Sequence, residues 1–290
     1  MPDSVLLCLG KFKKIIEIDY KNRCVVAQPG VTNLSITQAV QHKGFYYAPD
    51  PSSQIACSIG GNVAENSGGV HCLKYGLTVH NILQIKAISI DGEALTFGGE
   101  GLDSAGFDLL ALMCGSEGLL GVITEVTVKL LPKPQNARIV MAAFDSVHSA
   151  GNAVGAVISR GIIPAALEMM DHYAIVAAEE FCQAGYPKNA RALLLCELDG
   201  GIEEVEETIL SVEMIFKSQG ATSIRVSHSE AERTLLWKGR KSAFPAVGRL
   251  SPDYYCMDGT IPRSQIAFVL ESMEAMSREF GVRVANVFHA

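Results

Sequence analysis

The residues whose types and spacing most suggest chemistry lie in one stretch, Pro49 to Gly69, where two glycine pairs stand eight residues apart. Asn62 follows the first pair, Gly60-Gly61, and Asn66 lies just before the second pair, Gly68-Gly69. Glycine lets the main chain come close to a ligand, and consecutive N–H groups in such turns can form an anion-binding concavity. No lysine lies in the stretch, so neutral donors would hold an anion here. It contains neither a GxGxxG nor a P-loop pattern, and a glycine-rich structural loop is the alternative interpretation.

Two single residues toward the C-terminal end could bind an anion or a metal. Arg240 lies late in a predicted helix, where an arginine is commonly a solvated charge near the helix C-terminus, although its planar fork also suits a carboxylate. His289 follows an apolar strand, and a lone histidine there is more often structural than a ligand. Glu168 and Asp171 could both stand at a strand end. Helix capping is the ordinary interpretation of Asp171, and no role is evident for Glu168.

Composition limits the class of protein. At 290 residues the chain is long enough for two domains, and 48% hydrophobic residues supply ample core. A formal charge of −7 argues against a nucleic-acid partner, and no apolar run approaches the roughly 18 residues of a direct membrane span. Eight cysteines without a CxxC pair predict reduced, buried thiols in a cytoplasmic protein. Both ends look cut, because strand-like sequence begins at once and the chain stops inside an apolar segment.

The elements that must position these residues fall into two parts. In the first part we predict a long loop over 48–76 and a hairpin about Asp91-Gly92. The strands predicted there are 4–9, 15–18, 24–28, 82–90, 94–97 and 121–131, and the helices are 32–43 and 107–113. The second part alternates strands with amphipathic helices. Its predicted strands are 138–144, 166–170, 192–198, 223–226, 254–258 and 282–288, and its helices are 147–159, 172–183, 202–218, 230–244 and 264–280. This rhythm is typical of either a doubly wound parallel sheet or a ferredoxin-like antiparallel one.

Two motifs carry a resemblance to a known family. The run from Pro49 through Gly69, continuing to Gly76, resembles the second FAD-contacting segment of the vanillyl-alcohol-oxidase-type flavoproteins. The run GSEGLLGVIT at 115–124 resembles the segment that follows it in that family. The chain from about Phe12 onward resembles the FAD-linked 2-hydroxy-acid dehydrogenases, the group of glycolate oxidase FAD subunits and D-lactate dehydrogenases, truncated at both ends. The resemblance implies an α+β fold, with a partial PCMH-type FAD-binding domain at 1–134 and a ferredoxin-like cap domain with an antiparallel sheet at 135–290.

The resemblance also implies which residues bind the cofactor. The residues that would line or shape the flavin site are Pro49, Asp50, Ser53, Gly60, Gly61, Asn62, Asn66, Gly68, Gly69, Gly121, Val122 and Ile123. The subfamily binds FAD non-covalently, so His71 and Cys72 are interpreted as ordinary loop residues. In this family a preceding subdomain supplies the loop for the pyrophosphate, and that loop is missing here. We therefore expect these 290 residues to be inactive alone.

On the substrate side, the resemblance implies oxidation of a small 2-hydroxy acid, glycolate or D-lactate, to the 2-oxo acid. Arg240 matches the arginine that clamps the substrate carboxylate. His289 matches the first of the histidines that bind a divalent, Zn-like metal in the full-length protein. Partner subunits, a second flavin-type subunit and an iron–sulfur protein, would take the electrons and could bring the protein to a membrane. The alternative is a non-catalytic flavin-binding or assembly subunit of the same complex.

Overall fold

The computed structural model describes residues 5–99, 101 and 106–289 and divides the chain into two compact units, Met1–Lys133 and Pro134–Ala290. Among the described residues, none of the helices combines the length and apolar character that a bilayer crossing requires. Each unit is built on its own five-stranded sheet. Every strand pair in these sheets is antiparallel, so the fold is α+β, as predicted.

The first unit has the sheet order β1-β2-β6-β4-β5 and a small β3-β7 pair. Its strands are β1 (Ile15–Asp19), β2 (Cys24–Ala27), β3 (Phe45–Tyr46), β4 (Ile82–Ile88), β5 (Ala94–Gly98), β6 (Val122–Lys129) and β7 (Leu131–Pro132). Its helices are α1 (Asn33–Val40), α2 (Ile59–Glu65), α3 (Cys72–Tyr75) and α4 (Leu109–Met113). The apolar sides of β2, β4 and β6 meet α1 and α2 in one buried cluster that includes Val25, Ile36, Ile59, Val63, Ile85 and Val126.

The second unit has the sheet order β11-β8-β10-β9-β12. Its strands are β8 (Asn136–Phe144), β9 (Ala166–Asp171), β10 (Ala192–Gly200), β11 (Ala221–Val226) and β12 (Val287–His289). Its helices are α5 (Val147–Ser159), α6 (His172–Cys182), α7 (Ile202–Ser218), α8 (Glu230–Lys241), α9 (Ala243–Val247) and α10 (Ile266–Phe280). Because β10 pairs antiparallel with both β8 and β9, the latter two run parallel, with α5 as their crossover. This is the ferredoxin-like arrangement.

Helices cover both faces of the second sheet. Every residue of β9 is buried, as are all but the last residue of β10, which a sheet exposed on one face would not allow. One helix group consists of α5 with α7 and α10, and the other consists of α6 with α8 and α9. The second group carries the charged side chains described below.

Four of the predicted elements differ most from the structure. Residues 5–9 of the predicted first strand form no strand, and Ser4 lies outside the described residues. The predicted loop 48–76 contains α2 and α3. Residues 254–258 are exposed and form no strand, because the sheet ends at β11 and β12 and the apolar side chains of this segment face no core. The last strand is Val287–His289, so it shares just Val287 and Phe288 with the predicted 282–288.

Candidate functional site

The glycine-rich stretch folds partly into helix α2. Ser58 begins it in the extended conformation, and its hydroxyl accepts a hydrogen bond from Gly61 N at 3.2 Å, an N-cap. The helix ends at Asn66, which lies in the left-handed region with φ 49°. Two glycines in a seven-residue helix cost backbone entropy, so a packing reason for them is required.

Close packing within the first unit accounts for three of the glycines. A Cβ on Gly60 would lie 2.5 Å from Pro29 Cβ, and a Cβ on Gly69 would lie 2.6 Å from the main-chain carbon of Asp50. Gly68 approaches Leu77 in the same way, with 2.9 Å to its nearest side-chain carbon. These glycines therefore let segments of the unit come together, whatever ligand the surface takes.

The main-chain donors of the stretch are largely used internally. Gly60 N donates to Pro29 O at 2.9 Å, Asn62 N to Ser58 O at 2.9 Å, and Asn66 N to Val63 O at 3.3 Å. The expectation that glycines free consecutive N–H groups for an anion is therefore wrong for these three positions. For the second glycine pair, Gly68-Gly69, the same expectation stays a prediction.

Both asparagines anchor the segment through their side chains. Asn62 is 3% exposed, and its amide lies 3.3 Å from Asn33 and 3.4 Å from the sulfur of Cys57. The Asn66 side-chain oxygen accepts from Val79 N at 3.0 Å and from the thiol of Cys114 at 3.5 Å. The side chains of Asn62 and Asn66 therefore hold α2 in place from its inner side.

The structure brings the two family-like motifs together. After α4 the chain turns through residues with positive φ, including Gly115, Glu117 and Gly118, and docks on α2. Gly115 N donates to Val63 O at 2.8 Å, and Glu117 N donates to Ala64 O at 2.9 Å. Segments about 50 residues apart in sequence thus form one continuous surface of the first unit.

Gly121, Val122 and Ile123 lead this second motif into β6. A Cβ on Gly121 would lie 2.9 Å from Ile88 O, so glycine permits the close start of the β4–β6 pair. Val122 pairs with Ile88 and Ile123 with Ala87, and the Ile123 side chain is buried in the core. These residues therefore contribute main-chain atoms, rather than side chains, to this surface of the first unit.

Glu65, near the end of α2, is exposed and charged, whereas the exposed residues earlier in the stretch are uncharged. Between 52 and 61 they are Ser52, Ser53, Ile55, Ala56 and Gly61. Hydroxyl and apolar groups without charge suit the flat, neutral ring of a flavin, and they offer no cation for its pyrophosphate. The residues present therefore fit the ring portion of the cofactor.

Asp50 is engaged with His71 at the edge of the same segment. Asp50 Oδ2 lies 2.8 Å from His71 Nδ1, and His71 N donates to Asp50 Oδ1 at 3.3 Å. Both side chains are mostly buried. Asp50 thus fixes the start of α3, and Pro49 accepts from the Asn33 side chain at 2.9 Å through its carbonyl.

A second set of functional side chains meets in the second unit. Glu168 on β9 and His289 on β12 are directly opposite in the antiparallel register, so both project from the same face. Glu168 Oε1 lies 2.7 Å from His289 Nδ1, and Glu168 Oε2 lies 2.5 Å from Arg240 Nη2. Glu168 is 1% exposed, Arg240 is 6% exposed, and the His289 side chain is 50% exposed. We call these three residues the Glu168 cluster.

Helix α8 is held on this sheet face by a second buried carboxylate. Ser229 caps the helix by accepting from Glu232 N at 3.2 Å. Glu197, two residues beyond the partner of Glu168 on β10, faces the same side. It accepts from Arg233 Nη1 at 2.9 Å and from the indole N–H of Trp237. Arg233, Trp237 and Arg240 therefore form the inner face of α8.

Arg240 has unused capacity to bind an anion. Its Nε is buried and has no hydrogen-bond partner among the described residues. The same holds for Glu168 Oε2, because its close ion pair with Arg240 Nη2 is not aligned as a hydrogen bond. Orphaned buried polar atoms are rare in folded proteins and usually mark a functional group or a missing ligand. The expectation of a solvated arginine does not hold for this residue.

Asp171 is a helix cap, as its sequence position indicates. Its Oδ1 accepts from Ala174 N at 3.0 Å at the start of α6. Its Oδ2 accepts from the main-chain and side-chain nitrogens of Asn286, at 2.7 and 3.0 Å, and so ties the segment before β12 to β9. Burial raises the pKa of this carboxyl, and these hydrogen bonds oppose the shift.

Within the described part of the chain, no group of three or more His, Cys, Asp or Glu could hold a metal ion. His289 and Glu168 form a pair of potential donors, and Arg240 occupies the other oxygen of Glu168. Sequence reasoning missed the roles of Glu168 and Glu197. The available signal was a glutamate inside each of two apolar strands, ALEMMD and ALLLCELDG, because a buried charge requires a partner.

Comparison with known proteins agrees with these features. Residues 133–290 match the family described as FAD linked oxidases, C-terminal domain, and residues 1–98 match a family described as FAD binding domain. The glycolate oxidase subunit GlcD of Escherichia coli K12 is 62% identical over 99% of this chain and 58% of its own length. The corresponding figures are 37%, 99% and 61% for GlcD of Bacillus subtilis, and 30%, 99% and 62% for a D-lactate dehydrogenase of Anaerostipes hadrus. The chain thus spans about 60% of the length of these relatives.

Solved structures share the fold at low sequence identity. An alkyldihydroxyacetonephosphate synthase matches with a TM-score of 0.73 at 18% identity, over 93% of this chain and 55% of its own. A p-cresol methylhydroxylase matches with a TM-score of 0.63 at 17% identity, over 82% and 53%. The family match covers more than half of the chain, and the chain belongs to the FAD-linked oxidases.

Proposed function

We propose that the protein to which this chain belongs oxidises a small 2-hydroxy acid, glycolate or D-lactate, to the 2-oxo acid with FAD as cofactor. The observation that carries this proposal is the Glu168 cluster. In it Arg240 is buried with an unpartnered Nε and lies beside Glu168, which also contacts His289. FAD, when bound, supplies the hydride acceptor, and the protein supplies position and field.

Arg240 would bind the carboxylate of the substrate. Its Nη2 is engaged by Glu168, and its Nε is a buried donor without a partner. A guanidinium fork held in this way can give charge-assisted hydrogen bonds to a second carboxylate. Glycolate and D-lactate share that group and differ by one methyl, which a pocket distinguishes by only ~1–3 kcal/mol.

His289 would contribute to a divalent, Zn-like metal site together with ligands from other parts of the protein. Its Nδ1 contacts Glu168 and its side chain is half exposed, which suits a ligand that is oriented by a carboxylate. A divalent metal held there would supply Lewis-acid assistance to the loss of the hydroxyl proton of the substrate.

The cofactor residues divide into two roles under this proposal. Ser53 and Gly61 are exposed and would contact the flavin directly. The others would shape the surface from behind or meet the cofactor through main-chain atoms, namely Pro49, Asp50, Gly60, Asn62, Asn66, Gly68, Gly69, Gly121, Val122 and Ile123. This division follows from the internal hydrogen bonds and close contacts of those residues.

The electron acceptor would be a partner protein. Relatives in E. coli and B. subtilis are named as subunits of glycolate oxidase, which supports the existence of partner subunits. We propose that these are a second flavin-type protein and an iron–sulfur protein. We infer a cytoplasmic protein that meets a membrane, if at all, through those partners. A non-catalytic assembly subunit is the second candidate, but the unpartnered donor of Arg240 favours the enzyme.

The test is anaerobic bleaching of the flavin absorbance by glycolate or D-lactate in the protein expressed from its complete gene. We expect bleaching in the wild type. Arg240→Lys keeps a cation beside Glu168 but loses the fork, and we expect it to raise the half-saturating substrate concentration by roughly 10- to 100-fold, from the ~1.5–3 kcal/mol of a charged hydrogen bond. Arg249→Lys is the matched control, since Arg249 is exposed and bonds a carbonyl. A wild-type flavin that no 2-hydroxy acid bleaches would favour the assembly subunit.

A further inference from the structure

Glu168 is placed by strand register at a position where one carboxylate reaches two functional side chains. It lies on β9, fully paired between β10 and β12, opposite Leu195 on one side and His289 on the other. Sheet pairing fixes its backbone on both sides, and burial removes solvent as a competing partner. Its two oxygens are divided between His289 Nδ1 and Arg240 Nη2, at 2.7 and 2.5 Å.

We propose that Glu168 is a positioning residue that holds the Arg240 guanidinium with one oxygen and selects the tautomer of His289 with the other. The tautomer part of the proposal stands on this geometry alone. The part that concerns substrate affinity rests on the proposed function.

The consequence for His289 follows from hydrogen-bond chemistry. An ionised carboxylate can only accept, so the imidazole nitrogen that faces it must carry a proton. When the ring holds a single proton, that proton is therefore on Nδ1, and Nε2 presents its lone pair away from Glu168. The half-exposed side chain leaves Nε2 available to a metal or to a substrate proton.

The consequence for Arg240 is a fixed direction for its remaining donors. Glu168 holds Nη2, and the buried Nε has no partner among the described residues. A purely structural ion pair would satisfy the guanidinium more fully, since an unmade buried hydrogen bond is costly. Glu168 thus holds the guanidinium in place and leaves the buried Nε–H as a donor for an anion.

The substitution Glu168→Gln tests both consequences because a glutamine has one acceptor and one donor group. Arg240 can only donate, so it will draw the amide oxygen of the glutamine toward itself. The amide NH₂ then faces His289 Nδ1 and requires a lone pair there. We expect the substitution to reverse the tautomer and place the proton on Nε2.

The first measurement is ¹⁵N NMR of histidine-labelled protein at a fixed neutral pH, with the His289 signals assigned by their loss in His289→Asn. The wild type should show Nδ1 protonated, and Glu168→Gln should show Nε2 protonated. A wild type with the proton on Nε2, or a tautomer that the substitution leaves unchanged, overturns the proposal. The wild-type arm decides the matter even if the variant fails to fold.

The matched control is Glu197→Gln. Glu197 is equally buried, lies on the same sheet face and also binds α8, but it does so by accepting from Arg233 and from the indole N–H of Trp237. It should lose stability in urea unfolding as Glu168→Gln does and leave the His289 tautomer unchanged. A reversal of the tautomer in Glu197→Gln would show a general disturbance of the unit and overturn the assignment to Glu168.

The second measurement is the split between KM and kcat for glycolate in the flavin-loaded protein from the complete gene. Glu168→Gln should raise KM by about 10-fold, the effect of one misplaced charged hydrogen bond, and Glu197→Gln should leave KM unchanged. Equal KM values in the two variants would overturn the positioning of Arg240. If the wild type oxidises no 2-hydroxy acid, the proposed function fails, whereas the NMR result still decides the role of Glu168.

Discussion

Arg233 and Glu197 show at the scale of single residues how a buried ion pair differs from a surface one. Glu197 is buried, and its two carboxylate oxygens accept from Arg233 Nη1 at 2.9 and 3.1 Å. Burial lowers the pKa of Arg233, but the neighbouring carboxylates of Glu230 and Glu197 outweigh it and raise that pKa. Removing one partner leaves a buried charge unpaired. We expect Arg233→Met to lower the free energy of unfolding by about 2–4 kcal/mol, measured by urea denaturation.

Arg278 is the matched control for that substitution. It pairs with Glu274 at 3.1 Å one helical turn away on α10, and its side chain is 69% exposed. Exposed pairs of this kind contribute roughly 0–1 kcal/mol, so Arg278→Met should be nearly neutral. Equal losses in the two variants would mean that the Glu197 pair is as solvated as the surface pair.

The cysteines allow a second prediction at this scale. All eight are reduced thiols, as expected, but Cys8 and Cys256 are exposed, and of the eight just Cys114 and Cys196 are buried. Burial raises the pKa of the Cys114 thiol to about 11 and that of Cys196 as well. At pH 8 the reactive thiolate of Cys114 is therefore on the order of one molecule in a thousand.

Iodoacetamide labelling of the native protein, followed by peptide mass spectrometry, checks this prediction. Cys8 and Cys256 should react within minutes at pH 8, and Cys114 and Cys196 should react only after unfolding in urea. Fast native labelling of Cys114 would show that the loop docked on α2 opens readily.

The candidate site could be predicted at the residue scale in part. Arg240 and His289 were identified because they match a family pattern, and Asp171 because aspartate before a helix is a common cap. Glu168 could not be assigned a role in that way. Its partner His289 is 121 residues away, and the contact exists because the register of β9 and β12 sets the two opposite each other.

Helix α2 offers the prediction at the scale of elements. A Cβ on Gly60 would lie 2.5 Å from Pro29 Cβ and 3.1 Å from Pro29 Cα. The alanine must therefore push α2 away from the turn after β2, and we expect Gly60→Ala to cost about 1–3 kcal/mol of unfolding free energy. Gly155→Ala in α5 is the control, because nothing lies within 4 Å of its added Cβ. It should stabilise the protein by about 0.5–1 kcal/mol.

Thermal unfolding followed by circular dichroism compares the two glycine variants. Opposite shifts of the transition are expected. A neutral Gly60→Ala would indicate that α2 does not need its contact with Pro29, and the glycine would then be explained by a ligand.

Local signals decided which elements could be predicted. Helices α5 and α7 were predicted to the residue, because each has a sustained apolar face and the N-cap residues Ser146 and Gly201 mark their starts. Helix α2 was missed, since glycines are poor helix formers and their reason, contact with Pro29, is tertiary. The segment 254–258 was wrongly predicted as a strand, because a short run of aromatic and apolar residues does not show whether a core is there to receive it.

At the scale of the whole chain, the topology of the second unit was undecided by periodicity alone. Strand and helix alternate in the same way in a parallel sheet and in this antiparallel one. The difference is that β10 inserts between β8 and β9 and separates strands that a simple crossover would place side by side. This insertion depends on long-range pairing, which no local window of sequence contains.

Two units with separate sheets and separate cores lead to a last prediction. The second unit, Pro134–Ala290, contains every strand of its sheet, with β8 paired to both β10 and β11. Expressed by itself from residue 134, it should show one cooperative urea transition with native-like circular dichroism. A fragment that begins at Ala166 lacks β8 and α5. Strands β10 and β11 then lose β8 as their pairing partner, and their buried faces become exposed. It should not fold, and a longer fragment that also fails would show that the sheet of the second unit depends on residues outside it.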